Sequence, residues 1–177
     1  MNLLFSSNKK KLKDVLKEMK PFKLKQQDVP FIIRFIKNPK YDIGFFPGAV
    51  SLLNRDCIHV LLGRGVLDKD EAFVIGYIMG STKKMTTFKE KLFLFISRYL
   101  YPKGYRFGKG EAKIFEYGLI AGKKSCKDLS KIDFKWFLSW TLKDIRSKLG
   151  VDIDFLKLCY ILEKKAFPNS PESQRLI

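Results

Sequence analysis

Residues 54–81 read NRDCIHVLLGRGVLDKDEAFVIGYIMGS. An apolar run with helical spacing stops at Gly63 and Gly65, and a second run opens on the acidic DKDE and continues to Ser81. Glycine ends a helix by taking the left-handed conformation that other residues avoid, and acidic residues favour a helix start. Two helices joined by so short a turn fold back on one another as an antiparallel pair. This stretch therefore argues for a helical fold.

The flanking sequence repeats the pattern. NKKKLKDVLKEMKP sets Leu12, Val15, Leu16 and Met19 on one helical face before Pro21. QDVPFIIRFIKNP places Asp28 as an N-cap ahead of Pro30, and Pro39 ends it. The first helix of the pair belongs to FPGAVSLLNRDCIHVLLGRG. TFKEKLFLFISRYLYP has Thr87 and Glu90 at capping-box spacing. KGEAKIFEYGLIAG closes at Gly122, and FKWFLSWTLKDIRSKLG yields a short helix or two. DIDFLKLCYILEKKAFP groups Phe155, Leu158, Cys159 and Leu162, and residues 168–177 read as a loose tail. No run of alternating strands with hairpin turns, no internal repeat and no linker interrupts the series. The expected fold is all-α: one single-domain helical bundle of about seven to eight helices over residues 1–177, with residues 1–26 a basic amphipathic N-terminal segment.

Length and composition bound the function. A chain of 177 residues, 46% hydrophobic and 30% charged, with 16 Phe, has enough apolar surface for one core. No apolar run approaches the roughly 20 residues that cross a bilayer. MNLLFSSNKKK has its charges after its brief apolar stretch, the reverse of a secretory leader, so a cytoplasmic protein is expected. Cys57, Cys126 and Cys159 form no CxxC pair, so reduced thiols are expected and cysteine-based zinc spacings are excluded. The net charge of +17 suits an anionic partner, whether nucleic acid, an acidic lipid surface or a phosphorylated substrate. A lysine-rich, solvated surface without a dedicated partner accounts for the same charge. Lys9, Lys10, Lys11, Lys13 and Lys17 surround the first apolar stripe, a pattern that lies on acidic membranes or packs its stripe on a core. GLIAGKKS has one residue too few between its glycines for a phosphate-binding loop, and KGYRFGKG matches only half of an RNA-binding strand.

His59 is the chain's single histidine. Arg55 and Asp56 precede it by four and three positions, so all three share a helix face. The returning helix carries Glu71 back toward them. By spacing, Asp56, His59 and Glu71 can form a metal or acid–base site. Spacing equally allows local roles: Asp68 and Glu71 as a capping box, Asp56 paired with a neighbouring cation or solvent, and His59 bonded to a carbonyl.

RDCIHVLLGRGVLDKDE resembles the signature of the ubiquinone (coenzyme Q) biosynthesis protein Coq-four family, His-Asp-x-x-His, eleven residues, then Glu. Asp56, His59 and Glu71 match its second, third and fourth members. A second block, YGLIAGKKSCKDLSKIDFKWFLSWTLKDIRSKLGV, is similar to the family's closing region through Asp133, Trp140, Leu142, Arg146 and Leu149. The two blocks cover roughly residues 45–151, the family-like core. The departure is Arg55, which stands where the family has its first histidine.

The resemblance implies a divalent metal, zinc above all, held by Asp56, His59 and Glu71. Arg55 leaves two arrangements open. It can turn outward, leaving three ligands and a water, as in catalytic zinc sites. Its guanidinium can instead sit where the ion would, neutralising the carboxylates and contacting an acidic head group. The resemblance further implies a membrane-peripheral protein that binds a prenylated quinone precursor or another isoprenoid lipid. Such a protein supports quinone biosynthesis as a scaffold or by metal-assisted decarboxylation and oxidation of the head group, with other quinone-biosynthesis enzymes or a second copy of itself (a homo-oligomer) as partners. The rival readings are a basic nucleic-acid-binding protein and a metal-free family member acting as an interaction module.

Overall fold

The computed structural model describes residues 8–19, 46–101 and 103–176. Among them are eight α-helices and no β-strand: α1 Leu12–Met19, α2 Leu52–Leu62, α3 Asp68–Ser81, α4 Thr87–Tyr99, α5 Lys109–Lys124, α6 Leu142–Leu149, α7 Ile153–Ala166 and α8 Pro171–Gln174. The all-α, single-domain bundle expected from sequence is the fold observed. The helix expected within QDVPFIIRFIKNP lies outside the described residues.

Leu12, Val15, Leu16 and Met19 of α1 are all buried, and its lysines face outward. The stripe is therefore core, and α1 does not present it to a membrane. Residues 52–62 form α2 because Ser51 caps the start, accepting from the Asn54 N–H at 3.2 Å, while Gly63 ends it at φ +69°.

The centre of the bundle is the pairing of α3 with α5. A Cβ on Gly76 would lie 2.2 Å from the Phe115 carbonyl oxygen, and one on Gly80 2.3 Å from that of Leu119. In return, a Cβ on Gly118 would lie 2.1 Å from the Phe73 oxygen, and one on Gly122 2.1 Å from that of Tyr77. Contacts advance together along both helices, so they run parallel, and four interlocking glycines let their backbones meet. Gly122 is thus a packing glycine and not the expected terminus: α5 continues to Lys124. Phe93 of α4 stacks on Phe115 of α5 at 4.8 Å between centroids, and Phe46 meets Phe93 edge-on at 5.4 Å.

Three other expectations are corrected. The α4 cap is Thr86, whose hydroxyl accepts from the Lys89 N–H at 3.3 Å, one residue before the expected Thr87. Glu90 is then released to face Lys123 at 3.9 Å. On α7 the inward face is Leu156, Cys159, Tyr160 and Glu163, while Leu158 and Leu162 are exposed. The helix is rotated by one residue from the expected face because Glu163 meets a charge inside the core. Residues 168–176 do not form a loose tail: Ser173 and Leu176 are buried and α8 docks on α7. FKWFLSWTLKDIRSKLG supplies the 3₁₀ turn Phe134–Phe137 and then α6.

Candidate functional site

The turn between α2 and α3 is built around His59. Its backbone oxygen accepts from the Arg64 N–H at 2.9 Å, and its ring Nδ1 lies 2.5 Å from the Gly65 carbonyl oxygen. A carbonyl only accepts, so Nδ1 carries the proton and Nε2 presents a lone pair. Nε2 lies 3.3 Å from Glu71 Oε1. Two acceptors thus confront one another, and Nε2 is buried with no hydrogen-bond donor.

Arg55 completes the group. Its Nη2 forms an ion pair with Glu71 Oε2. Burial pushes the Arg55 pKa down to about 10, with Asp56 acting in the opposite direction, so the guanidinium stays charged at neutral pH. The capping role expected for Glu71 belongs to Asp70, whose Oδ2 accepts from the Leu67 N–H at 3.1 Å. The helix begins one residue earlier than a box on Asp68 requires, and Glu71 is left to face α2.

Arg55, His59 and Glu71 are therefore brought together. Asp56 is half-exposed on α2, and among the described residues no three His, Cys, Asp or Glu side chains converge to hold a metal ion. The residues present do not fit a divalent cation: a guanidinium already engages the Glu71 carboxylate.

His59 has a measurable consequence for stability. Burial holds its pKa well below 6.5, and the Arg55 and Arg64 cations lower it further, outweighing the Gly65 carbonyl. The folded state keeps the ring neutral where the unfolded chain takes up a proton. Stability is therefore full above about pH 6.5 and lost as pH falls below it, by up to roughly 1.4 kcal/mol per unit. Urea unfolding between pH 7.5 and 5.5 should show this slope, and His59→Gln should flatten it.

Sequence reasoning missed the charge cluster beneath the turn. Arg64, fully buried, donates from Nη1 and Nη2 to the two oxygens of Glu163 at 3.1 and 2.6 Å. Its guanidinium lies between the rings of Phe73 and Tyr160, 4.0 and 4.3 Å from their centroids. Asp70 Oδ1 is 3.8 Å away, Asp70 Oδ2 accepts from Arg175, and the Ser173 hydroxyl donates to Glu163 at 3.0 Å. Burial alone would lower the Arg64 pKa, but the carboxylates of Glu163 and Asp70 beside it raise it above its usual value. The available signals were an arginine between two glycines and a Tyr and Glu three residues apart on one helix face. Arg146 adds support, donating from Nε to the Leu61 carbonyl at 2.9 Å, while the Tyr160 hydroxyl donates to that of Leu62 at 2.6 Å. Arg146 of the closing block and Tyr160 of α7 thereby fix the end of α2 that carries His59.

No known protein family, curated protein or solved structure matches this chain.

Proposed function

We propose that the chain is a ubiquinone-biosynthesis-like protein that holds the head group of a prenylated quinone precursor at Arg55, His59 and Glu71. The observation that carries this reading is the buried His59 Nε2, an acceptor lacking a donor, set 3.3 Å from Glu71 Oε1 beside a guanidinium. A phenolic hydroxyl supplies the donor that Nε2 lacks. An acidic substituent on the same ring suits Arg55, which binds carboxylates through paired hydrogen bonds. The sequence resemblance, with Asp56, His59 and Glu71 at the family's spacing, supports the same ligand class.

The role is support of quinone biosynthesis at a membrane face, as a scaffold or through head-group chemistry. No helix among the described residues is long and apolar enough to cross a membrane. Attachment is peripheral in this reading, through lysines on an acidic surface.

Solvent extraction of tag-free protein followed by lipid mass spectrometry tests the proposal. A hydroxylated aromatic with a prenyl tail should be recovered from the natural protein and depleted at least tenfold from Arg55→Leu and Glu71→Gln. Repeated absence of any prenyl lipid, with no uptake of an added quinone precursor, overturns it.

A further inference from the structure

Both tryptophans of the chain fall in one short segment, and neither is buried. Trp136 is 80% exposed and Trp140 41%. Phe137 meets Trp140 edge-on, 5.2 Å between centroids at 71°. A side chain as costly to expose as tryptophan usually leaves water when it can. Here the backbone holds the segment outward. Asn54 of α2 donates to the Ile132 carbonyl at 2.9 Å and accepts from the Phe134 N–H at 3.2 Å, which anchors the 3₁₀ turn Phe134–Phe137.

The same segment is stitched to the basic amino-terminal strip. The Leu12 N–H donates to the Trp140 carbonyl and the Lys13 N–H to that of Leu138, each at 3.0 Å. The Leu142 N–H donates to Lys10 at 3.0 Å and the Lys143 N–H to Asn8 at 3.1 Å. Exposed lysines at 9, 10, 11 and 13 thereby share one joined pair of segments with exposed Lys135 and Lys143 and the two indoles. Acids lie among them: Asp14 is half-buried on α1, and Glu18, Asp133 and Asp144 are exposed. Asp133 accepts from the Lys135 N–H, Asp144 from the Thr141 hydroxyl, and Glu18 pairs with Lys10. What faces outward is an indole-bearing knob on segments where these six lysines stand against four acids, a net positive surface.

We infer that this knob, Trp136 and Trp140 with the lysines of the α1 strip, is the surface that docks on an anionic lipid bilayer. Indoles settle at the boundary between head groups and acyl chains because the ring is apolar and its N–H needs a polar partner. The surrounding lysines reach acidic head groups at the same depth. Single-stranded nucleic acid fits less well. Binding along a strand uses successive stacking rings, whereas only Trp136 is widely exposed and Trp140 is packed against Phe137. The inference gives the membrane contact of the proposed function a location. It rests on that reading for the contact and not for the quinone.

The two indoles make the knob its own reporter. The full-length protein is mixed with vesicles of phosphatidylcholine alone or with one-third phosphatidylglycerol, neither containing any prenyl lipid. Tryptophan emission should shift to the blue with the anionic vesicles, weaken with added salt, and stay unchanged with the neutral ones. Lys9→Gln and Lys13→Gln should each lower partitioning roughly fivefold. Trp136→Ser, a change at an exposed position, should lower it further with an unaltered circular dichroism spectrum. Docking without recovery of any prenyl lipid leaves this inference standing and removes the quinone reading. An unshifted emission overturns the inference. So does vesicle binding that survives loss of Trp136 and the lysines, which would move the contact to the exposed Phe88, Phe95 and Tyr99 of α4. Quenching by a single-stranded oligonucleotide, with none by vesicles, overturns it as well.

Discussion

Glu163→Ala should destabilise the fold by roughly 3–5 kcal/mol, the usual cost of leaving one member of a buried ion pair alone. Arg64 would remain fully buried between Phe73 and Tyr160, with Asp70 at 3.8 Å as its nearest remaining carboxylate. That contact is too long for a hydrogen bond, and Asp70 already serves Arg175 and the Leu67 N–H. The Ser173 hydroxyl would lose an acceptor too, so α8 should loosen with α7. Against a total stability of about 5–15 kcal/mol the loss is large. Urea denaturation checks it. Glu163→Gln should fall between, since it keeps an acceptor for Ser173. Replacing both Arg64 and Glu163 by Met should recover most of the loss, because removing the pair also removes its desolvation cost.

Gly118→Ala should also destabilise, by roughly 2 kcal/mol or more. Alanine gains up to about 1 kcal/mol over glycine inside a helix, so propensity alone predicts the opposite sign. The added Cβ, however, would lie 2.1 Å from the Phe73 carbonyl oxygen. That oxygen belongs to a helix backbone and cannot rotate away, so α3 and α5 must part along their length. Overpacking of this kind costs about 1–3 kcal/mol and sometimes more. Once the helices have parted, Gly76→Ala finds room, so the double variant should fall short of the sum of its singles. Gly104→Ala, with nothing within 4 Å of the new Cβ, should stay within about 0.5 kcal/mol. A stabilised Gly118→Ala in urea denaturation would contradict the close approach of α3 and α5.

Much of this architecture is legible in residues 54–81. The stop at Gly63 and the span of α3 follow from local chemistry, a left-handed cap and a continuous apolar run. The meeting of Arg55, His59 and Glu71 was readable as well, since helical spacing and a short turn suffice to bring them together. Helical spacing leaves open which of two neighbouring polar side chains faces Glu71, and Arg55 is the one that pairs with it. The α7 face was misread because hydrophobic periodicity counts every glutamate as solvent-facing, whereas Glu163 is buried by a partner 99 positions away in the chain. The ordered carboxyl-terminal segment follows from the same buried charges: Ser173 and Arg175 reach Glu163 and Asp70. Gly122 shows the converse limit, because a glycine that closes a helix and one that admits a neighbouring backbone look alike in sequence.

Arg55 stands where the sequence's resemblance to the Coq-four signature would put a metal-binding histidine. Elemental mass spectrometry of tag-free protein, purified without chelator and then offered zinc, addresses this directly beside Arg55→His and Glu71→Ala. The natural protein should retain no stoichiometric ion, and Arg55→His, which restores the His-Asp-x-x-His spacing, should take up about one. Near-stoichiometric metal in the natural protein, lost in Glu71→Ala, would contradict the account and make Asp56, His59 and Glu71 ligands after all.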